Sequence, residues 1–249
     1  MTVSNIFKME MYRNFRDRAY LIVIGILTVS FAIAASLGIA MIFQAKSGHE
    51  TAPLIFLEGP LVFALFIAFA AFSIIYPWHL MSTDYNNKVL SLVVASGVKR
   101  SRYYFVKLLA TIVTNLLAYF AIGVIPVVLL LGFFHQEFID FVQTVIHGFT
   151  ANQGWLLLLN LLVSSIATMV ILYFVVILTR GKFWGVFVFL GIRLGLGVVV
   201  SSIGLSIASV SGALTSGLLG NHWLDFAVSL IEIIIFGFAG FLMLKKQDL

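Results

Sequence analysis

Six apolar runs, each long enough to cross a lipid bilayer, dictate what this chain can become. They occupy residues 20–43, 60–80, 103–133, 155–179, 183–206 and 223–244. A helix advances only ~1.5 Å per residue, so a crossing takes about 20 apolar residues. Inside lipid each backbone amide must find its partner within the chain, which favours helices. The chain is 61% hydrophobic and only 10% charged, with a mean hydropathy of +1.11. No soluble domain of 249 residues can hide that much apolar side chain. The expected fold is an all-α polytopic membrane protein, a single transmembrane domain over residues 1–249. The third run is longer than a crossing needs and contains Pro126, so it is expected to tilt, kink or project from the bilayer.

Lysine and arginine set the orientation, because short cytoplasmic loops collect them. Thirteen of the fifteen lie in the N-terminal segment, the 81–107 loop, the Arg180-Gly181-Lys182 turn and the Lys245-Lys246 tail. Six crossings put these four segments on one side, so both termini are expected in the cytoplasm, with Lys46 alone opposite. Residues 1–19 place Val3, Phe7, Met11 and Phe15 along one helical stripe, with Lys8, Arg13 and Arg16 largely opposite. That pattern predicts a helix lying in the membrane interface. The run that follows is too long for a signal-peptide core. On the outer side, residues 44–59 read as a polar loop with Pro53, and residues 135–154 as a short amphipathic helix. Residues 206–222, rich in Ser and Gly, are apolar enough to re-enter the membrane and too weak to cross it.

Residues 76–109, YPWHLMSTDYNNKVLSLVVASGVKRSRYYFVKLL, carry a third of the basic residues and one acid, Asp84. Ser82, Thr83 or Asp84 can cap a helix N-terminus, and Asp84 stands four residues before Lys88. Val89, Leu92 and Val93 recur at helical spacing and Gly97 follows. A short amphipathic helix is expected over residues 84–95, either as a docking element held at the membrane face or as an ordinary basic loop.

This stretch resembles the first cytoplasmic loop of ABC-2 type transporter permeases, the membrane subunits of one class of ATP-binding-cassette transporter. Those loops run acid, polar residues, Gly-Thr-Leu, a short apolar helix, then Pro-Val-Ser-Arg and a Lys seven residues later. Asp84, Leu90, Val98, Arg100 and Lys107 occupy matching positions. Asn86 stands where a second acid is common, and Lys88, Val89, Gly97 and Lys99 depart from the Gly, Thr, Pro and Ser. The resemblance implies an interfacial elbow helix at residues 1–19 and a coupling loop at residues 81–102. Asp84, Asn86, Asn87, Lys88, Val89, Leu90, Leu92 and Val93 would face a separate ATPase subunit. It also implies short re-entrant helices between the fifth and sixth spans, and a fifth span bordering a dimer interface and the translocation path.

Several chemistries are excluded or unsupported. There is no cysteine, so disulfides and thiol catalysis are out. The five histidines are scattered, and no metal cluster is visible. No G-x-x-x-x-G-K-[ST] occurs, so the chain cannot hold ATP in P-loop fashion. H-E-x-x-H and G-x-S-x-G are absent too, so no enzymatic site is expected. The net charge of +5 sorts by topology and is no sign of nucleic acid.

Two ionisable residues fall deep in spans. Arg193 lies eleven residues past Lys182, roughly 16 Å along a helix, and Glu232 thirteen residues before Lys245, roughly 20 Å. Opposite charge at similar depth on consecutive helices suggests an ion pair, since an unpaired central charge is costly. The same two residues could instead line a substrate path. Gly191 and Gly195 form a G-x-x-x-G pair that permits close helix packing, within the chain or between two copies.

The resemblance implies a permease subunit of an ATP-driven exporter in a bacterial cell membrane. Two permease copies would work as a homodimer with two ATPase subunits that hold ATP and magnesium, this chain holding no cofactor. Its small size and minimal loops look most like exporters of amphipathic or antimicrobial peptides, including lantibiotic-immunity and toxin-peptide systems, or of other hydrophobic substrates. The alternative is an ion- or proton-coupled secondary transporter, which needs a midplane titratable site.

Overall fold

The computed structural model describes residues 3–46, 52–87, 89–133, 143, 147, 154–211 and 222–247. Every element among the described residues is a helix. They are α1 (Val3–Phe15), α2 (Arg18–Lys46), α3 (Ala52–Asn86), α4 (Val89–Ala95), α5 (Arg100–Phe133), α6 (Gly154–Thr179), α7 (Gly185–Ser211) and α8 (His222–Lys246). Six of them, α2, α3, α5, α6, α7 and α8, are long and apolar enough to cross a membrane. The architecture is that of a multi-pass helical membrane protein.

The element boundaries correct the sequence reading in three places. First, α3 starts at Ala52, so Pro53 lies in its first turn and not in a loop. A proline is harmless there because the first-turn N–H groups have no helical acceptor. Second, α3 continues to Asn86, which takes Asp84 out of the short helix expected at 84–95; α4 begins at Val89. Ser82 Oγ and Thr83 Oγ1 donate to the His79 carbonyl at 3.3 and 2.6 Å, so they bond back along α3 and cap nothing. The third run forms one helix, α5, that passes through Pro126. Third, α7 reaches Ser211 and absorbs the start of the segment expected to re-enter. The rest of that segment, Lys88 and most of the outer helix expected at 135–154 lie outside the described residues.

The chain divides into two compact units: Met1–Phe7, Pro77–Ile112 and Phe149–Leu249 form one, and Lys8–Tyr76 with Val113–Gly148 the other. In the first, α6 is the central helix. Ala167, Met169 through Tyr173, and Val175 through Ile177 are buried on all sides of it, as expected of a helix enclosed by neighbours. Tyr104 of α5 stacks on Tyr173 with ring centroids 5.1 Å apart and donates to the Gly237 carbonyl of α8 at 2.8 Å. Gly240 lets α8 close in, since a Cβ there would stand 3.0 Å from the Tyr104 hydroxyl and 3.6 Å from the Phe174 Cα. The α6–α7 turn uses Gly181 at φ +72°. Its N–H donates to the Val176 carbonyl at 2.9 Å, and a Cβ would come 2.9 Å from Tyr85 Cβ.

The second unit is held by an aromatic stack. Tyr20 lies 4.3 Å from Tyr76, and Phe72 5.5 Å from Tyr76, centroid to centroid. The Tyr20 hydroxyl donates to the Thr114 carbonyl at 2.9 Å, and Asn14 Nδ2 donates to Thr114 Oγ1 at 3.1 Å. On α1 the buried residues are Ile6, Glu10 and Asn14, whereas Val3 and Phe15 of the expected apolar stripe are exposed. The hydrogen bond from Asn14 accounts for the offset, because it turns a polar stripe inward.

Candidate functional site

Two regions of the first unit carry polar chemistry. The first surrounds the α3–α4–α5 segment. Asp84, in the last turn of α3, is buried, and Lys107 Nζ of α5 lies 2.9 Å from its Oδ2. The Tyr103 hydroxyl donates to the same carboxylate oxygen. The two ends of the connection are therefore clamped together. Between them α4 presents Leu92 at 68% exposure, while Val98 beyond Gly97 is buried. Gly97 adopts φ +84°, a conformation that favours glycine and turns the chain out of α4. Asn86 and Asn87 are exposed, and Val89, Leu90 and Val93 share α4 with Leu92.

The same end of the unit is latched by the chain terminus. Gln247 Nε2 donates to the Ile177 carbonyl at 2.8 Å, and its Oε1 accepts from the Tyr85 hydroxyl at 3.2 Å. Arg100 Nη1 donates to the Gln247 carbonyl at 2.5 Å. One side chain and its own carbonyl thus join the ends of α3, α5, α6 and α8. Trp78 and Thr179 crowd Gly185 at the start of α7, where no Cβ fits.

The second region is a cleft of about 540 Å³ between α6, α7 and α8. Arg193 Nη1 donates to Glu232 Oε2 at 2.9 Å and Arg193 Nη2 to Ser164 Oγ at 3.3 Å. Glu232 has 7% of its side chain exposed and Arg193 33%. The lining follows helical spacing on each element. Asn160 and Ser164 lie four apart on α6, as do Arg193, Gly197 and Ser201 on α7; on α8, Asp225, Ser229 and Glu232 are spaced by four and then three. Numbers fall from Ser164 on α6 and from Glu232 on α8 while they rise from Arg193 on α7, as an antiparallel α7 requires. Arg193, Glu232 and Ser164 make the floor, and Asp225 in the first turn of α8 marks the far end. At ~1.5 Å per residue, the seven residues from Asp225 to Glu232 span about 10 Å. Apolar side chains, Leu157, Leu161, Leu196, Val200 and Val228, alternate with these polar groups.

Among the described residues, a Cβ on Gly191 or Gly195 would meet nothing within 4 Å. Leu194 and Val198 beside them are exposed. Among the described residues no group of three His, Asp or Glu could hold a metal ion. Sequence reasoning missed Tyr103, Tyr85, Gln247 and Ser164, whose importance comes from neighbours distant in sequence. Ser164 alone offered a sign, as a hydroxyl inside an apolar run.

A six-span helical membrane protein with a clamped interhelical loop and a charged cleft is the class that this fold defines. No family model, curated protein or solved structure matches the chain.

Proposed function

We propose that this chain is the membrane subunit of an ATP-driven exporter of the ABC-2 type, acting as a dimer with separate ATPase subunits in a bacterial cell membrane. The observation that carries the reading is α4, a seven-residue helix between the second and third candidate spans that exposes Leu92. Its flanks are fixed by Asp84 and Lys107. A short exposed helix on a rigid mount can transmit a push to the spans; a helix on a slack loop would absorb it. ATP binding closes the ATPase dimer, α4 rides on it, and the clamped ends of α3 and α5 move with it. The sorting of basic residues supports the placement of this end of the unit in the cytoplasm. On that placement α1 is the interfacial elbow and both termini are cytoplasmic. The cargo would be amphipathic or antimicrobial peptides or other hydrophobic molecules.

Mild-detergent purification of the tagged chain from its native host tests this. The expected result is a copurifying protein with a P-loop and vanadate-sensitive ATP hydrolysis, both reduced in Leu92→Glu. Full recovery of the parent chain with no such protein contradicts the proposal. The charged cleft favours a second reading, a secondary transporter with a midplane site, which would run on an ion gradient in ATP-free proteoliposomes.

A further inference from the structure

The polar groups of the cleft do not balance. Its lining holds two carboxylates, Glu232 and Asp225, against one guanidinium, Arg193. Arg193 is spent on Glu232 and Ser164, which among the described residues leaves the exposed Asp225 carboxylate over. The Oδ1 of Asn160 is shut from solvent and has no hydrogen-bond partner among the described residues. Ser201 directs its proton to the Gly197 carbonyl at 2.7 Å, so its oxygen faces the cleft as an acceptor. A buried acceptor without a donor is unfavourable, and a ligand that brings donors relieves it. Asp225 alone, in a first helical turn, is explained by the helix dipole; the orphan Asn160 oxygen is not. Acceptors and one net negative charge stand beside a wall of leucine and valine.

We infer that the cleft binds the primary ammonium of a cationic amphiphile, its charge between Asn160, Ser229 and Asp225 and its apolar body along Leu161, Leu196 and Val228. The assignment deepens the exporter reading by naming the substrate chemistry, and it rests on that reading for the word substrate. Gly197 is what makes the room. Among the described residues a Cβ there would meet nothing within 4 Å, and Gly197 lines the cleft, so a larger side chain is expected to take up cleft volume.

The test uses the full chain in phosphatidylcholine nanodiscs, without ATP or partner, titrated with dodecylammonium and with dodecyl sulfate. Saturable binding is expected for dodecylammonium only. Gly197→Leu should melt like the parent and lose that binding. Asp225→Asn should weaken it about ten-fold, the loss of one charge-assisted contact. Phosphatidylethanolamine in the bilayer should not displace the probe; displacement would make the occupant a lipid headgroup and contradict the assignment. Equal binding of dodecyl sulfate, or unchanged binding in both variants, overturns it. Because no ATPase is present, failure here leaves the exporter reading standing. Failure of the ATPase to copurify leaves the ammonium site standing.

Discussion

Lys107 and Asp84 form a salt bridge of 2.9 Å with both side chains no more than 3% exposed. Charges so placed have lost their hydration, and each depends on the other for compensation. Lys107→Met should therefore lower stability by about 3–5 kcal/mol, the usual result of stranding one member of a buried pair. Asp84→Leu with Lys107→Met should recover much of it, since nothing charged remains to desolvate. Thermal unfolding in detergent, followed by size-exclusion fluorescence, reads both. A stable Lys107→Met would show that the clamp holds nothing.

The Arg193–Glu232 pair should respond unevenly. Arg193→Met leaves Glu232, 7% exposed, uncompensated, at about 2.5–3.5 kcal/mol on insertion scales. Glu232→Gln leaves Arg193, which is 33% exposed and opens on the cleft where water reaches it, so the loss should be smaller. The double variant Arg193→Met/Glu232→Met should regain stability. If it also transports, the pair only holds the fold; if it is stable and inactive, the charges serve the path. Equal stability of Arg193→Met and the parent contradicts the pairing.

Glycines of α7 should divide sharply. Gly185→Ala forces a methyl into Trp78 and Thr179, and overpacking of that kind costs about 1–3 kcal/mol. A Cβ at Gly191 or Gly195 meets nothing within 4 Å among the described residues, so Gly191→Leu and Gly195→Leu should melt like the parent. They should also lower the cross-linked dimer fraction, since the exporter reading puts a second copy against this face. An unchanged dimer in both moves the interface elsewhere.

Topology is open to labelling because the chain has no cysteine. Cysteines at Ser47, Gly148 and Asn221 should react with an impermeant thiol reagent from outside intact cells, and one at Ser101 should not. Labelling at Ser101 would reverse the orientation.

What could be read beforehand was what hydropathy and helical spacing determine. The six spans were legible because crossing length leaves little choice, and Arg193 and Glu232 stood out because charge is costly in an apolar run. The start of α4 was not legible. Asp84 looked like a cap by its chemistry, and only its neighbours Tyr103 and Lys107, about one and two helical turns into α5, draw it into α3. The buried stripe of α1 was hidden for a similar reason, since Asn14 turns inward to reach Thr114. Gln247 gave no signal at all: its role depends on three helix ends that meet in space.

The most direct test of the account is a photo-cross-linking amino acid at position 92, introduced into the full chain in its native membrane. Leu92 is exposed on α4, so the substitution should not disturb the fold. The exporter reading predicts a cross-link to a P-loop ATPase subunit that strengthens when ATP and vanadate trap the closed state, and none from the same probe at Leu178 of α6. A probe at Leu92 that incorporates fully and captures only lipid, with or without nucleotide, would contradict the claim that α4 is the coupling helix.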